Sequence, residues 1–400
     1  MRQEWRTVLL KDVLQPKGYI RGPFGSALKR GDMLDTGIPV YEQQHAIYGS
    51  RQFRFHISEN KYMEMKRFSI QPDDIIISCS GTVGKVSIIT KDDPIGIISQ
   101  ALLLLRVNAD VIDPLFLCYF FRSYEGYNAI VSRSSGSVQV NISKREVIEQ
   151  IPLRLPDIQT QRRIVSILSS LDQKIVCNAK INDNLQQQAA TIFHRWFVNN
   201  PDSEKWPMVT LDDLTSLVSR GIAPKYDDES AQIVLNQKCI RDHYIDISLG
   251  RRHKPKAIKE KWLQYGDLLI NSTGEGTLGR AAQVWFIPKN MTVDSHVTVV
   301  RPMNQLLLFY IGLWGISHER EIEALHTGST GQTELPRERV KAMELRLPDN
   351  DTLVRFNAVI SPIVSAIIAN QKENTRMASI RDALLPKLMS GEIDVSSVDI

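Results

Sequence analysis

The sequence predicts a duplicated α/β (α+β) fold: two globular modules separated by two long antiparallel helices that form a coiled-coil spacer. Three observations predict it. Four ordered patches of the first half recur in the second. Each copy closes on LRLP or ELRLP and then enters a long helical pattern. Both helical patterns carry two asparagines at matching places in an otherwise apolar series.

The repeat comes first because the rest depends on it. GSVQVNIS…IPLRLP (136–156) reappears as GSTGQTEL…MELRLP (328–348), with Gly136 over Gly328 and Pro156 over Pro348 at one common offset. DIIISCSGTVGKV (Asp74–Val86) matches DLLINSTGEGTLGRA (Asp267–Ala281), whose turn carries a short insertion. Trp5 and Val8 resemble Trp206 and Val209. An offset that drifts slowly along the chain is that of one module copied, with later insertions and deletions in its loops.

Within each module, short β-rich runs alternate with turn signals. IPVYEQ, DIIISCS and KVSIIT read as strands, while Pro114–Arg122 and Gln305–Ile316 read as helices. The polar stretch Asn199–Trp206 reads as the clearest linker. The expected order is a module over 1–155, a helix over 156–199, a module over 200–347 and a helix over 348–400.

The helices follow from a 4-3 apolar series. In the first copy it runs Ile164, Leu168, Leu171, Ile175, then Asn178 and Asn182, then Leu185, Ala189, Ile192 and Trp196. In the second copy the same series reads Phe356, Ile360, Ile363, Ile367, then Asn370 and Asn374, then Met377, Arg381, Leu384 and Leu388. Such a series is a coiled-coil seam, and polar residues inside a seam fix register and partner. Two amphipathic helices, each packed on its own module, would show a similar series; the matched asparagines favour helices that face each other. Arg381, standing where the first copy has Ala189, is expected to open the seam. Pro362 is expected to kink the helix or mark its start, and Pro386 to end it. Each helix should span about 30 residues, roughly 45–50 Å, enough to hold two modules about one DNA turn apart.

The bulk numbers agree with two domains. Four hundred residues exceed one ordinary core, and 42% hydrophobic with 24% charged residues is a globular composition. A net charge of +4 tolerates a polyanionic partner without requiring one. Cys79, Cys118, Cys177 and Cys239 lie far apart without CxxC or zinc-finger spacing, so no metal site is expected. The longest apolar run, Leu306–Ile316, is shorter than the roughly 20 residues a bilayer requires, and the N-terminus breaks its apolar residues with charges. A cytoplasmic location and no membrane partner are expected.

Three repeated features carry candidate chemistry. SGTVGK (Ser80–Lys85) is echoed by STGEGTLGR (Ser272–Arg280). Its glycine spacing and the Val after Lys85 do not fit a nucleotide-binding P-loop. A Gly-rich turn ending in Lys85 or Arg280 fits a DNA phosphate contact and equally fits a plain hairpin. The loop after IPVYE offers Gln43, Gln44, His45, Tyr48 and Arg51, and its second copy offers Asn236, Gln237, Lys238 and Arg241. Asn and Gln match adenine N6/N7, and Arg or Lys matches guanine O6/N7. A solvated polar loop is the plain alternative, but the site is polar in both copies and differs in identity, as two readers of different sequences require. The Ser/Thr-rich turns contribute Arg133, Ser135, Ser137 and Gln139, and Ser329 and Gln332, as DNA contacts, with Ser143 better suited to capping a helix. The basic cluster Arg251, Arg252, His253, Lys254 and Lys256 is a candidate phosphate contact or a solvated loop.

GTVGK within strand–turn–strand, GSVQVNIS leading to IPLRLPDIQTQRRIVSIL, and the duplicate of both resemble the DNA-specificity (S) subunits of type I restriction–modification systems. The resemblance covers nearly the whole chain. The second copy departs in GEGTLGR and in LPDNDTLVRF, which bears on its loop and on the start of the distal helix. The resemblance implies two target-recognition domains that each read half of a bipartite, asymmetric site in double-stranded DNA. It implies helices that set the gap and dock two methyltransferase (M) subunits, with restriction/translocase (R) subunits joining for cleavage. Catalysis is then expected elsewhere: this chain would be no enzyme, holding no cofactor, while S-adenosylmethionine, ATP and Mg bind to the partners. No NPPY- or DPPY-type tetrad and no Walker A motif occur in the sequence. The rival readings are a coiled-coil adaptor, or a specificity subunit of another multi-subunit DNA-modification system.

Overall fold

The structure is a computed structural model that describes residues 5–24, 27–134, 141–274, 276–328 and 333–398. The chain divides into two compact units, Met1–Ile175 with Thr375–Ile400, and Val176–Asn374.

In the first unit the strands β1 (Leu14–Arg21), β2 (Ile75–Ser78), β3 (Val86–Ile88) and β4 (Leu102–Val107) form an antiparallel sheet in the order β1–β4–β2–β3. The run Leu102–Leu105 and the isoleucines of β2 are apolar on both faces because both faces are covered. Ile75, Ile77, Leu103 and Leu105 pack with Phe116 and Leu117 of the helix Pro114–Arg122. Ile76, Leu102 and Leu104 face Tyr41 and Ile98 on the other side. A smaller sheet sets Ile38–Tyr41 between His56–Ile57 and Ile97–Ile98. The N-terminal strand Arg6–Leu9 pairs antiparallel with Pro152–Leu155, so the module closes on the LRLP segment.

The second unit repeats this plan. Strands β5 (Thr215–Arg220), β6 (Leu268–Asn271), β7 (Ala281–Gln283) and β8 (Val297–Pro302) lie in the order β5–β8–β6–β7. Gln232–Leu235 sits between Arg251–His253 and Met291–Val293, and Met208–Thr210 pairs with Glu344–Arg346. One staple recurs in both copies. Arg106 grips Asp74 at 2.7 and 2.8 Å, and Arg301 grips Asp267 at 2.7 and 2.8 Å. The aspartate that opens each DIIIS/DLLIN motif is thus a buried clamp on its sheet, with no part in a surface site.

Two long helices follow the modules: α1 (Ile158–Phe193), continued by one π turn over His194–Val198, and α2 (Asn350–Ser390). Both start on the same device. Asp157 accepts from the Thr160 backbone N–H at 3.0 Å and from its hydroxyl at 3.0 Å, and Asp349 accepts from those of Thr352 at 2.8 and 2.9 Å. The LPD-x-x-T pattern is an N-cap in each copy.

The helices have 36 and 41 residues, longer than the sequence suggested. Pro362 neither starts nor ends α2, and Pro386 does not stop it. Both rings lie on the exposed face, as do Ala358 and Asp382, whose carbonyls lose their helical partners and can bind water instead. The opposite face holds the helix: Leu353, Phe356, Ile360, Val364 and Ile367 are all buried in the second unit. It is α2, and not Leu306–Ile316, that holds a stretch long and apolar enough to cross a bilayer.

Each unit contains a half of both helices. In the first, Ile164 and Leu168 of α1 share a core with Leu385 and Leu388 of α2, and Leu171 and Ile175 are half-buried. In the second, Ala189 and Phe193 of α1 share a core with Ile360 and Ile367, with Leu185 and Ile363 packed at its edge. There the asparagines meet: Asn178 donates to Asn374 at 2.9 Å and to Glu373 at 2.7 Å, and Asn370 donates to Asn182 at 2.8 Å. Rising numbers on α1 meet falling numbers on α2, which is antiparallel pairing. Arg381 does not open the seam. It donates to Asp172 of α1 at 2.8 Å, an ion pair in place of an apolar contact.

Two smaller expectations also change. The stretch read as a linker contains the compact turn Pro201–Lys205, with Ser203 buried. Ser143 caps nothing, because the helix Arg145–Ile148 begins after Lys144 without a side-chain cap.

Candidate nucleic-acid interface

The three repeated features converge at one end of each large sheet. In the first module Ser80, opening the Gly-rich turn, donates its backbone N–H to the Gln43 side chain at 3.1 Å and its hydroxyl to Asn141 at 2.9 Å. In the second module Thr273 donates to the Gln237 side chain at 3.1 Å and bridges to Glu334. Residues from all three expected features meet in the first copy, Gln43, Ser80 and Asn141; in the second, Gln237 and Thr273 meet Glu334, the residue just after the expected turn. The turns share a backbone too. Gly84 and Gly279 both adopt φ of 85°, a left-handed conformation that favours glycine, and this lets each turn fold back onto its sheet.

What was read as a loop after IPVYE is the short helix Gln43–Tyr48, ended by Gly49 at φ 65°. The helix sorts its residues. Gln43 and Gln44 line an open groove of about 480 Å³ with Glu42, Gln52, Phe53 and Arg54. Tyr48, 79% exposed, lies instead on a cleft of about 470 Å³ with Lys85, Tyr124 and Tyr127, where the Lys85 ammonium sits 4.6 Å from the Tyr127 ring centre.

His45 and Arg51 are not surface readers. His45 is fully buried, its Nδ1 accepting from the Glu42 backbone at 2.6 Å and its Nε2 lying 2.9 Å from the Gln52 carbonyl, with the ring stacked on Phe53. Arg51 has its guanidinium occupied by Asp93 at 2.6 and 3.1 Å and by the Ile88 carbonyl at 2.9 Å. Both hold the helix and its following loop in place, so their edges are turned away from solvent. Arg133 is half-buried and donates to the Ala129 carbonyl at 2.8 Å, which ties it to its own helix.

In the second module Asn236 caps the turn Gln237–Cys239 by accepting from Lys238 at 2.9 Å. Lys238 and Arg241 are exposed and Arg280 is half-buried. Arg251 and Arg252 are exposed yet engaged: Arg251 lies 3.3 Å over the Tyr226 ring, and Arg252 donates to the Ser230 carbonyl at 2.6 Å. Lys254 and Lys256 are exposed beside them, whereas His253, expected in the same cluster, is buried and makes no surface contact. The strand Arg251–His253 thus presents a basic edge whose arginines are pre-positioned by neighbours. Elsewhere in this module, hydrogen bonding and charge from Glu319, at 3.4 Å, raise the pKa of His243 above its usual value. Ser135, Ser137, Gln139, Ser329 and Gln332 lie outside the described residues.

Glu334 escaped the sequence reading, Asn141 was only the end of the expected turn, and Arg54, exposed at the groove rim and paired with Glu42 at 2.9 Å, was also missed. Asn141 and Glu334 stand at the same offset as Ser80 and Thr273, so the repeat itself held the signal.

The chain is two copies of one module, each followed by a long helix, and the known proteins it is similar to are DNA-specificity subunits of type I restriction–modification systems. Residues 3–187 match the family model of the type I restriction modification DNA specificity domain. The chain is 25% identical over 314 residues to the type I restriction enzyme MjaIX specificity subunit of Methanocaldococcus jannaschii, covering 71% of this chain and 70% of that one. It is 22% identical over 373 residues to the HindI specificity subunit of Haemophilus influenzae, covering 74% of this chain and 81% of the relative. In fold it is similar to the type I restriction–modification S subunit of M. genitalium, with a TM-score of 0.57, 15% identity, and coverage of 97% of this chain and 96% of that one.

Proposed function

We propose that each module reads one half of a bipartite, asymmetric sequence in double-stranded DNA, and that α1 and α2 set the unread gap and dock two methyltransferase subunits. Restriction/translocase subunits join that complex for cleavage. On this reading the chain catalyses nothing and works in the cytoplasm. S-adenosylmethionine serves adenine methylation on the partners, which also hold ATP and Mg.

One observation carries the reading. The same scaffold, a Gln against a Gly-rich turn bridged to a polar residue, occurs in both modules with different surroundings: Gln44, Gln52 and Arg54 in one, Lys238 and Arg241 in the other. A shared frame with exchanged polar groups is what reading two different half-sites requires. The candidate base contacts are Gln43, Gln44, Gln237 and Arg241; the candidate phosphate contacts are Lys85, Lys238, Arg251, Arg252 and Lys254.

Exchange of residues 1–155 for the corresponding module of another specificity subunit tests it. Genome-wide mapping of methylated adenine in a host carrying the complete system should show one half of the motif replaced and the other intact. Replacement of both halves, or of neither, would overturn the reading.

A further inference from the structure

The two halves of the helix pair are related by the repeat, and one contact across the seam, made by two positions, breaks that relation. Asp172 on α1 corresponds to Val364 on α2, and Ala189 on α1 corresponds to Arg381 on α2. In the first unit the polar members meet: Arg381 donates to Asp172 at 2.8 Å, and Asp172 also accepts from the Tyr119 hydroxyl at 2.7 Å and, more loosely, from Arg122 at 3.4 Å. In the second unit the apolar members share a core, Ala189 at 0% and Val364 at 1% exposure.

We propose that this position is a pairing code: it makes the face of α1 fit α2 and reject a second copy of α1, and likewise for α2. Because the modules are copies, two α1 helices could take up the same antiparallel register. The asparagines would still meet, since Asn178 would then face the Asn182 of its twin as it now faces Asn374, losing only its bond to Glu373, where α1 has Ile181. They fix register, not identity. The broken position does object. Two α1 helices would set Asp172 against Ala189 twice, removing the Arg381 guanidinium and leaving the half-buried carboxylate with the Tyr119 hydroxyl and the looser Arg122 contact. Two α2 helices would drive Arg381 against Val364 twice, into the core where Ala189 and Val364 are buried, with Asp172 lost and only Asp382 of its own helix as a carboxylate partner. Only α1 with α2 places charge on charge and methyl on methyl. Specificity of this kind comes from the penalty on the wrong pair.

The full-length chain tests this when a specific protease site is placed in residues 199–206 and cut after folding. Each piece then keeps one module and one long helix. After incubation under mildly exchanging conditions, native mass spectrometry counts the pairs. Wild-type pieces should remain as mixed pairs, with like pairs at least roughly tenfold below the statistical share, a bias of about 1.4 kcal/mol. The variant Asp172→Val with Arg381→Ala makes both seam halves alike and should relax toward the statistical mixture. A second arm works even if that variant fails to fold. The reversed pair Asp172→Arg with Arg381→Asp keeps the contact, so its own pieces should behave as wild type. Mixed with cut wild-type protein, it should cross-pair at least roughly tenfold less than chance. Statistical like-pairing of wild-type pieces, or statistical cross-pairing in the second arm, would overturn the proposal.

Discussion

Gln43, Gln44, His45 and Arg51 fall within nine consecutive residues, and burial assigns them different work. The glutamines line a groove, while His45 and Arg51 are locked beneath it. Arg51→Ala should therefore act on folding. It strips the partner from Asp93, whose side chain is only 8% exposed, and should cost about 1–3 kcal/mol, less than the figure for a fully buried pair because Arg51 is itself partly wet. Thermal unfolding measures that loss. On the proposed function Lys254→Ala should do the reverse: leave unfolding unchanged, weaken DNA binding by the proposed complex evenly across sequences, and lower the slope of log K against log salt by about 1. A sequence-dependent effect would argue against a phosphate contact. Residue types in this stretch were readable from the chain. Their sorting was not, because a histidine on a buried helix face and one on a groove look identical without the neighbours that cover them.

At the level of single elements, α2 gives the sharpest contrast. Pro362 sits in mid-helix on an exposed face, so Pro362→Ala should restore the lost backbone bond and stabilise the protein, by at most about 3 kcal/mol. Denaturant unfolding checks this. A loss of stability would mean that the ring itself supports the packing. The start of the helix carries a pH signature. The Thr352 backbone N–H and hydroxyl hold the Asp349 carboxylate below its usual range, so its contribution is present above about pH 4 and fades as pH falls through the depressed value. Asp349→Asn keeps a capping group but removes that titration, and its acid unfolding curve should be flatter than that of the wild type. Both caps could have been seen in advance as LPD-x-x-T. Helix length could not, since a proline ends a helix only where packing on the other face does not outweigh the lost bond.

For the molecule as a whole, the proposed function makes the two helices a spacer whose length enters the target sequence. Inserting one heptad into each preserves the seam and adds about 10.5 Å of rod. Adenine-methylation maps should then show the same two half-sites with a gap wider by about three base pairs. An unchanged gap would remove the helices from that role, whereas loss of all methylation would mean that the complex no longer assembles.

Periodicity and repetition are local properties of a chain, so the amino-acid order alone was enough to announce the duplication, the two helices and the register of their asparagines. Identity of contacts is a non-local property. That Arg381 meets Asp172, that His45 is dry, and that Gln43 and Asn141 converge on Ser80 depended on segments tens to hundreds of residues apart being brought together. Burial and partner choice arise from that packing, and no single stretch of sequence contains them.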